Sequence, residues 1–469
     1  LASLSDGRWD GRKDGTGLDG SIDIFGEGAT AQGGKGSAGH GDIKGDHAAI
    51  STNFETLFYS FGRTLHTESS QLLLYTLLQA SPSFAASIAV RSDLDTLVLP
   101  LLRTLYISST MTHQQMAPTG AVAAEGRNPG NDIQHRPHFR SRSQLYVILI
   151  LLLILSQDQS FGADIFRRVM VAHAPWYRER HMRDVNLGSV MLLTVLRAIS
   201  FNLHRIKDPF LLSNCCAVLL NVSPYLSGLH NYAAMRLASV TVSCMKKYTV
   251  LVGKNGGRPA EDGDLSSDLG MYGETCHTLL QVVKHGIMAR HVDKNLHLIY
   301  ALTYLQRDFY DIMSARGSPF KAPDVGSIIT IISQADKIIQ EDGTASSAEQ
   351  TMAVLESDTS VEKLKAVTKK SPSPGTQRER SNSVDSASSD MSVAGGDFTF
   401  TYEEEADPEI FFVPYLWEVI VCTLTASSLE WEKEKIRVFP LLEDALVGDD
   451  EAELAPALRN FASDAADAV

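Results

Sequence analysis

The chain has 469 residues, 44% of them hydrophobic and 21% charged, with a formal net charge of −14. An acidic balance of this size excludes a nucleic-acid-binding surface, because phosphate recognition needs clustered Lys and Arg. The cysteines are odd in number, five, with no paired spacing and with Cys215 and Cys216 adjacent in an apolar stretch; they exclude a disulfide framework and read as small core residues of a reducing compartment.

The sequence begins at Leu1 without a methionine, which reads as a chain lacking its natural start, and no signal peptide is visible. Residues 1–50 are Gly- and Asp-rich without apolar periodicity, too polar to offset the entropy of ordering, and are expected to be disordered. Helical hairpins are predicted over residues 51–110. There Leu72, Leu73, Tyr75, Leu77 and Leu78 crowd successive turns, Ser81-Pro82 breaks the helix, and Asp93 is the expected cap of the next. Residues 111–143, with Pro118, Gly120, Gly126, Pro129-Gly130 and Pro137, read as a linker.

Residues 144–340 are the densest helical region. Leu187, Val190, Met191, Val195, Ala198 and Ile199 follow the i, i+3, i+4 progression of one helical face. Asp208-Pro209 places a capping carboxylate before a proline at the first helical position. A further helix is predicted over about Leu229 to Lys247, ended by Lys246 and Lys247, with a Gly- and Asp-rich linker from Val252 to Asp268. Helices resume from Leu269 to Arg316 and from Asp324 to Gln340, and no sustained alternation or Asn-Gly turn signals a sheet. Helices of this length joined by short loops predict an all-α fold, an α-solenoid of HEAT/armadillo-like helical hairpins with long disordered insertions. One such insertion is the Ser-rich segment 341–397, with SPSP and SNSVDSASSD, expected to be a solvated linker and a candidate for phosphorylation. A C-terminal helical cap over 398–447 and an acidic tail over 448–469 complete the chain.

The run Leu145 to Leu155 is eleven apolar residues. A helix of that length covers about 16 Å against about 30 Å of hydrocarbon, so the run reads as a buried core helix and not a span. No apolar stretch reaches eighteen uninterrupted residues, since Arg197 breaks one and Ser213, Asn214 and Asn221 break another.

Reaction chemistry finds little support. Gly34-Lys35-Gly36-Ser37-Ala38-Gly39 matches G-x-G-x-x-G, but its flanks are more glycine and not the strand and helix that phosphate cradling needs. His277, His285, His291 and His297 lack short, defined metal spacing. Cys215-Cys216 lacks an electropositive neighbour, and Asn221-Val222-Ser223 is a sequon at the end of an apolar helix. No catalytic, metal or cofactor residue is assigned, and no small-molecule substrate is expected.

The candidate site lies in EEEADPEIFFVPYLW, where Asp407-Pro408 reads as a helix start with Glu403, Glu404 and Glu405 just outside its positive end. Phe411, Phe412, Tyr415 and Trp417 follow, too much aromatic surface to leave in water. One reading has these residues dock on the last helices of the stack and close its apolar end, as terminal repeats must. The other makes them a partner site, aromatic anchors within an acidic rim.

Three stretches, Leu187 to Leu237, Asn295 to Met313 and Thr401 to Trp417, resemble the dymeclin family (Dyggve-Melchior-Clausen syndrome protein) in wording and order. Asp93 to Tyr106, the Leu145 run and Trp176 to Ser189 are similar to it as well. The resemblance implies a non-enzymatic protein of the cytoplasm and Golgi apparatus, peripheral on the membrane surface, needed for Golgi organisation and secretory vesicle trafficking, with Golgi-associated proteins as partners. Family members carry an N-terminal glycine for myristoylation, and a sequence that begins at Leu1 neither confirms nor excludes that anchor. The alternative is an integral multi-span membrane protein of the secretory pathway.

Overall fold

A computed structural model describes residues 21–22, 52–109, 142–255, 263–315, 317–343, 347–370, 399–404 and 407–426. The glycine-rich G-x-G-x-x-G stretch, Glu405 and the acidic tail lie outside the described residues.

Sixteen α-helices carry the described chain, as the all-α expectation required. After a two-residue bridge of β1 (Ser21–Ile22) with β2 (Thr52–Asn53), the helices are α1 (Phe54–Thr64), α2 (Glu68–Ala80), α3 (Pro82–Ala89) and α4 (Asp95–Ser108). Then come α5 (Arg142–Ser156), α6 (Gln159–Arg167), the ribbon β3 (Met170–His173) and β4 (Arg183–Asn186), α7 (Leu187–Phe201), α8 (Pro209–Val222) and α9 (Asn231–Asn255). The series ends with α10 (Gly263–Gly286), α11 (Leu296–Tyr304), α12 (Gln306–Ser314), α13 (Ala322–Asp342), α14 (Ala348–Glu356), α15 (Asp358–Lys370) and α16 (Glu409–Ala426).

These helices stack in two layers in chain order. In one layer α1 packs on α4, α4 on α7, α7 on α9, α9 on α11 and α11 on α14. In the other α2 packs on α5, α5 on α8, α8 on α10, α10 on α13 and α13 on α15. The cross-layer pairs α4–α5, α7–α8, α9–α10 and α11–α13 hold the layers together around one contiguous core. The short helices α3, α6 and α12 and the β3–β4 ribbon interrupt any fixed repeat length, so no repeat class follows from the stacking.

Local chemistry sets the boundaries. Asp208 caps α8 by accepting from the Leu211 amide at 3.1 Å, with Pro209 at the first helical position. Asn202 fastens that cap from behind, its side chain accepting from Asp208 N–H at 2.9 Å and donating to Asp208 C=O at 2.7 Å. Ser81 caps α3 ahead of Pro82. Asp93, the expected cap of α4, instead pairs with Arg91 at 2.6 Å, and the helix starts at Asp95.

Further boundaries differ from expectation, and α10 already begins at Gly263, inside the linker expected to run to Asp268. Helix α9 continues past Lys247 to Asn255, because Leu251 is buried and the Tyr248 ring packs on Phe320 at 5.9 Å. Burial outweighs the propensity cost of Gly253. The segment expected to be disordered from Glu341 holds the end of α13 and all of α14 and α15. Ser347 and Gln350 form a reciprocal capping box for α14, and Leu355 and Leu364 are wholly buried against the stack. Composition misjudged this stretch because a short helix needs only one or two apolar anchors when a neighbour supplies the remaining core.

Helix α5 answers the apolar run. Leu145, Val147 and every residue from Ile148 to Leu153 are buried, between α2, α4 and α8. Among the described residues one helical stretch, Leu187–Ile206, is long and apolar enough to cross a membrane, and 78% of its apolar window is buried inside the protein. Two further helix pairs pass the same test only as broken spans, bent by 106° at Ser81 and 95° after Ser156.

Candidate functional site

Residues 399–404 and α16 form a strap across the layer that contains α2, α5 and α8. Its first fastening is Asn221 at the end of α8, whose side-chain amide accepts from Phe400 N–H at 2.7 Å and donates to Phe400 C=O at 2.9 Å. The same amide donates to Ser156 Oγ at the end of α5, at 3.1 Å. A lone asparagine thus satisfies an extended residue as a β-ladder partner would. The second fastening is a hydroxyl cluster on α2. Tyr75 Oη donates to Glu404 Oε1 at 2.8 Å and lies 3.0 Å from Tyr402 Oη.

Helix α16 starts immediately after Asp407-Pro408 and lays its aromatic face inward. The Phe412 ring packs on Tyr75 at 5.1 Å, and Phe411 packs on Tyr146 of α5 at 6.2 Å. Tyr415 is 2% exposed and donates to Glu68 Oε1 at the start of α2, at 3.2 Å. Burial, then the neighbouring carboxylate Glu68, pushes the Tyr415 phenol well above its ordinary pKa. Burial and the hydrogen bonds to Tyr402 and Glu404 do the same for Tyr75. Both hydroxyls therefore stay neutral donors to carboxylates. On α5, Tyr146 Oη also donates to Asp208, linking the strap's seat to the cap of α8.

The candidate residues are divided by this arrangement. Tyr415 is buried, Phe411, Phe412 and Trp417 are half-buried, and Glu403 and Glu404 are exposed. The aromatic face does close an apolar surface, but that surface belongs to α2 and α5 at the beginning of the stack, not to its last helices. The last helices cover one another, since α14 and α15 both pack on α13, while α2 and α5 present Tyr75 and Tyr146 to be covered. Sequence reasoning missed Tyr75, Tyr146 and Asn221, partners more than 170 residues away along the chain with no local signal of the pairing.

Elsewhere the polar groups are structural. His285 Nδ1 lies 2.6 Å from Ser223 Oγ, and burial, then Arg290, hold its pKa down to about 4. Ser223 is fully buried, which closes this Ser–His pair to a substrate. Cys215, Cys216, Cys244 and Cys276 are buried thiols whose pKa values burial raises. Among the described residues no group of three or more His, Cys, Asp or Glu could hold a metal ion.

The profile of the family described as "Dymeclin: Dyggve-Melchior-Clausen syndrome protein" matches residues 34–419. The chain is 27% identical to Dymeclin of Xenopus laevis over 397 residues, covering 83% of this chain and 50% of that protein. It is 27% identical to Dymeclin of Rattus norvegicus over 400 residues, covering 84% and 50%. Against Dymeclin of Dictyostelium discoideum the identity is 23% over 472 residues, covering 84% and 44%. The chain thus spans about half the length of the curated relatives it matches. No solved structure matches it.

Proposed function

The chain belongs to the dymeclin family, and on that footing we propose that it is a non-enzymatic scaffold, peripheral on the cytoplasmic face of the Golgi, that serves Golgi organisation and secretory vesicle trafficking. The match over residues 34–419 carries this reading. The packing agrees with it: the apolar surface of α5 and most of α7 faces other helices, leaving little of it for lipid. Golgi-associated proteins are the proposed partners, and no cofactor or small-molecule substrate is needed.

The integral-membrane reading rests on Leu187–Ile206, the stretch with the length and apolarity of a span. In a bilayer, residues such as Met191, Leu193 and Val195 would have to leave the core they now fill. An alkaline carbonate wash of membranes from cells expressing the full-length protein separates the readings. Release into the supernatant is expected, and complete retention in the pellet refutes the peripheral scaffold.

Within this proposal the strap is first the closure of the α2–α5 face. Glu403 and Glu404 are its exposed acidic rim, with Glu404 already accepting from Tyr75 and Glu403 the group a partner would meet. Glu403→Lys is therefore expected to leave the melting temperature unchanged, and reduced Golgi recruitment of that variant marks the rim as a partner contact.

A further inference from the structure

Helix α16 has two apolar faces. Phe411, Phe412 and Tyr415 turn onto α2 and α5. On the other side Ile410, Val413, Leu416 and Ile420 recur three and four residues apart, and all four are exposed, Ile410 at 74%. At 3.6 residues per turn they form one stripe, centred about 160° around the helix from Tyr415. Only Glu409 and Glu418 are charged within α16. A helix that is apolar all round belongs inside a packed structure, so the outer stripe is a surface made to be covered.

The chain itself supplies a cover of the right length. Directly after Ala426 it reads SSLEWEKEKIRVFPLLEDALV, from Ser427 to Val447, beyond the described residues. Its apolar residues Ile436, Phe439, Leu442 and Leu446 also recur three and four apart. They occupy the same length of chain as Ile410 to Ile420, about 15 Å in helical form. Lys433, Lys435, Arg437, Glu443 and Asp444 lie between and beside them, so the segment has polar groups to keep in water while one side is buried. Pro440 is no obstacle in this fold, since α4 and α16 carry Pro100 and Pro414 in their interiors.

We propose that residues 436–446 fold back across the outer face of α16, antiparallel to it, so that Ile436 meets Ile420 and Leu446 meets Ile410. The strap is then the inner arm of a helical hairpin, with residues 427–435 as the reversal. Other occupants fit the surface less well. Four aliphatic side chains offer at most a few hundred Å², short of the about 800 Å² per partner of a stable interface, so a second copy is poorly held. A tethered segment needs no such area, because its effective concentration is set by the short connection. An anionic lipid surface would meet the exposed carboxylates Glu403, Glu404 and Glu409 at the same end of the strap. The proposal is independent of the membrane reading and stands or falls on this face alone.

The test is hydroxyl-radical footprinting of the full chain, read by mass spectrometry at Val413, Leu416 and Ile420. The parent should label weakly there, and Phe439→Asp/Leu442→Asp should raise labelling severalfold while Phe412 on the inner face stays protected. Leu454→Asp/Leu458→Asp, in the tail beyond the segment, should label like the parent. Parent labelling as strong as at the exposed Val90 overturns the proposal. Protection that survives in Phe439→Asp/Leu442→Asp overturns it as well, and so does protection that vanishes on dilution, the mark of a second copy. Should the double variant fail to fold, disulfide trapping decides. Val413→Cys/Leu442→Cys should close an intramolecular bond on mild oxidation well ahead of Val413→Cys/Leu458→Cys, and equal rates overturn the proposal.

Discussion

Replacing Tyr415 by alanine removes the most buried side chain of the strap. The ring is 2% exposed and packs on Phe411 at 5.8 Å, and its hydroxyl donates to Glu68 at 3.2 Å. Truncating a buried aromatic residue costs about 3–5 kcal/mol in transfer energy and cavity. Tyr415→Phe keeps the ring and removes only the hydrogen bond. Glu68 is half-buried and can take water in exchange, so about 0.5–1.5 kcal/mol is expected. Phe412 and Trp417 are half-buried, so their alanine variants should cost about half of a full truncation. The strap can open without the stack, because α16 meets α2 and α5 through long side chains. The loss should therefore appear first as local opening and only partly as a lower global melting temperature. Hydrogen exchange over residues 407–421 reads this directly. Tyr415→Ala should accelerate exchange there by a hundredfold or more, with α8 and α9 unchanged. If exchange in the strap is the same in Tyr415→Ala and the parent, the fastening by this ring is refuted, whatever happens to recruitment.

His285 should make the protein acid-sensitive. Its pKa is about 4 when folded, against an ordinary 6.5, so the unfolded chain binds the proton first and stability falls as pH drops from about 6.5 to 4. The shift corresponds to at most about 3 kcal/mol, and denaturant titrations of His285→Asn at several pH values should show a flatter slope. Gly188→Ala places a methyl 2.3 Å from the Phe166 ring, which should cost about 1–3 kcal/mol through overpacking despite the helix-propensity gain; a melting temperature at or above the parent's refutes that contact. Ser347→Ala breaks the capping box of α14 and should cost about 0.5–2 kcal/mol, seen as faster proteolysis within 347–356 while 358–370 stays protected.

The sequence by itself determined whatever depends on neighbours within a few residues. Helical periodicity announced the all-α class, Asp208-Pro209 marked the start of α8, Ser81-Pro82 marked the break before α3, and the length of Leu145 to Leu155 assigned that run to a core. Each is a local rule of capping, proline geometry or helical rise, complete within one or two turns. What only the tertiary structure decided depends on surfaces supplied by distant segments. Leu355 and Leu364 are sparse apolar points in a polar stretch until α13 gives them a core to enter. Lys247 reads as a helix end until Leu251 finds a buried site beyond it. The aromatic run from Phe411 to Trp417 showed that something must cover it, but the choice of α2 and α5 over the last helices required Tyr75, Tyr146 and Asn221 to be brought beside it. Periodicity reports that a face is apolar and says nothing of its partner, because burial is non-directional and many faces would satisfy it. Specific hydrogen bonds and ring contacts between segments far apart in the chain made the selection, and these exist only once the chain has folded.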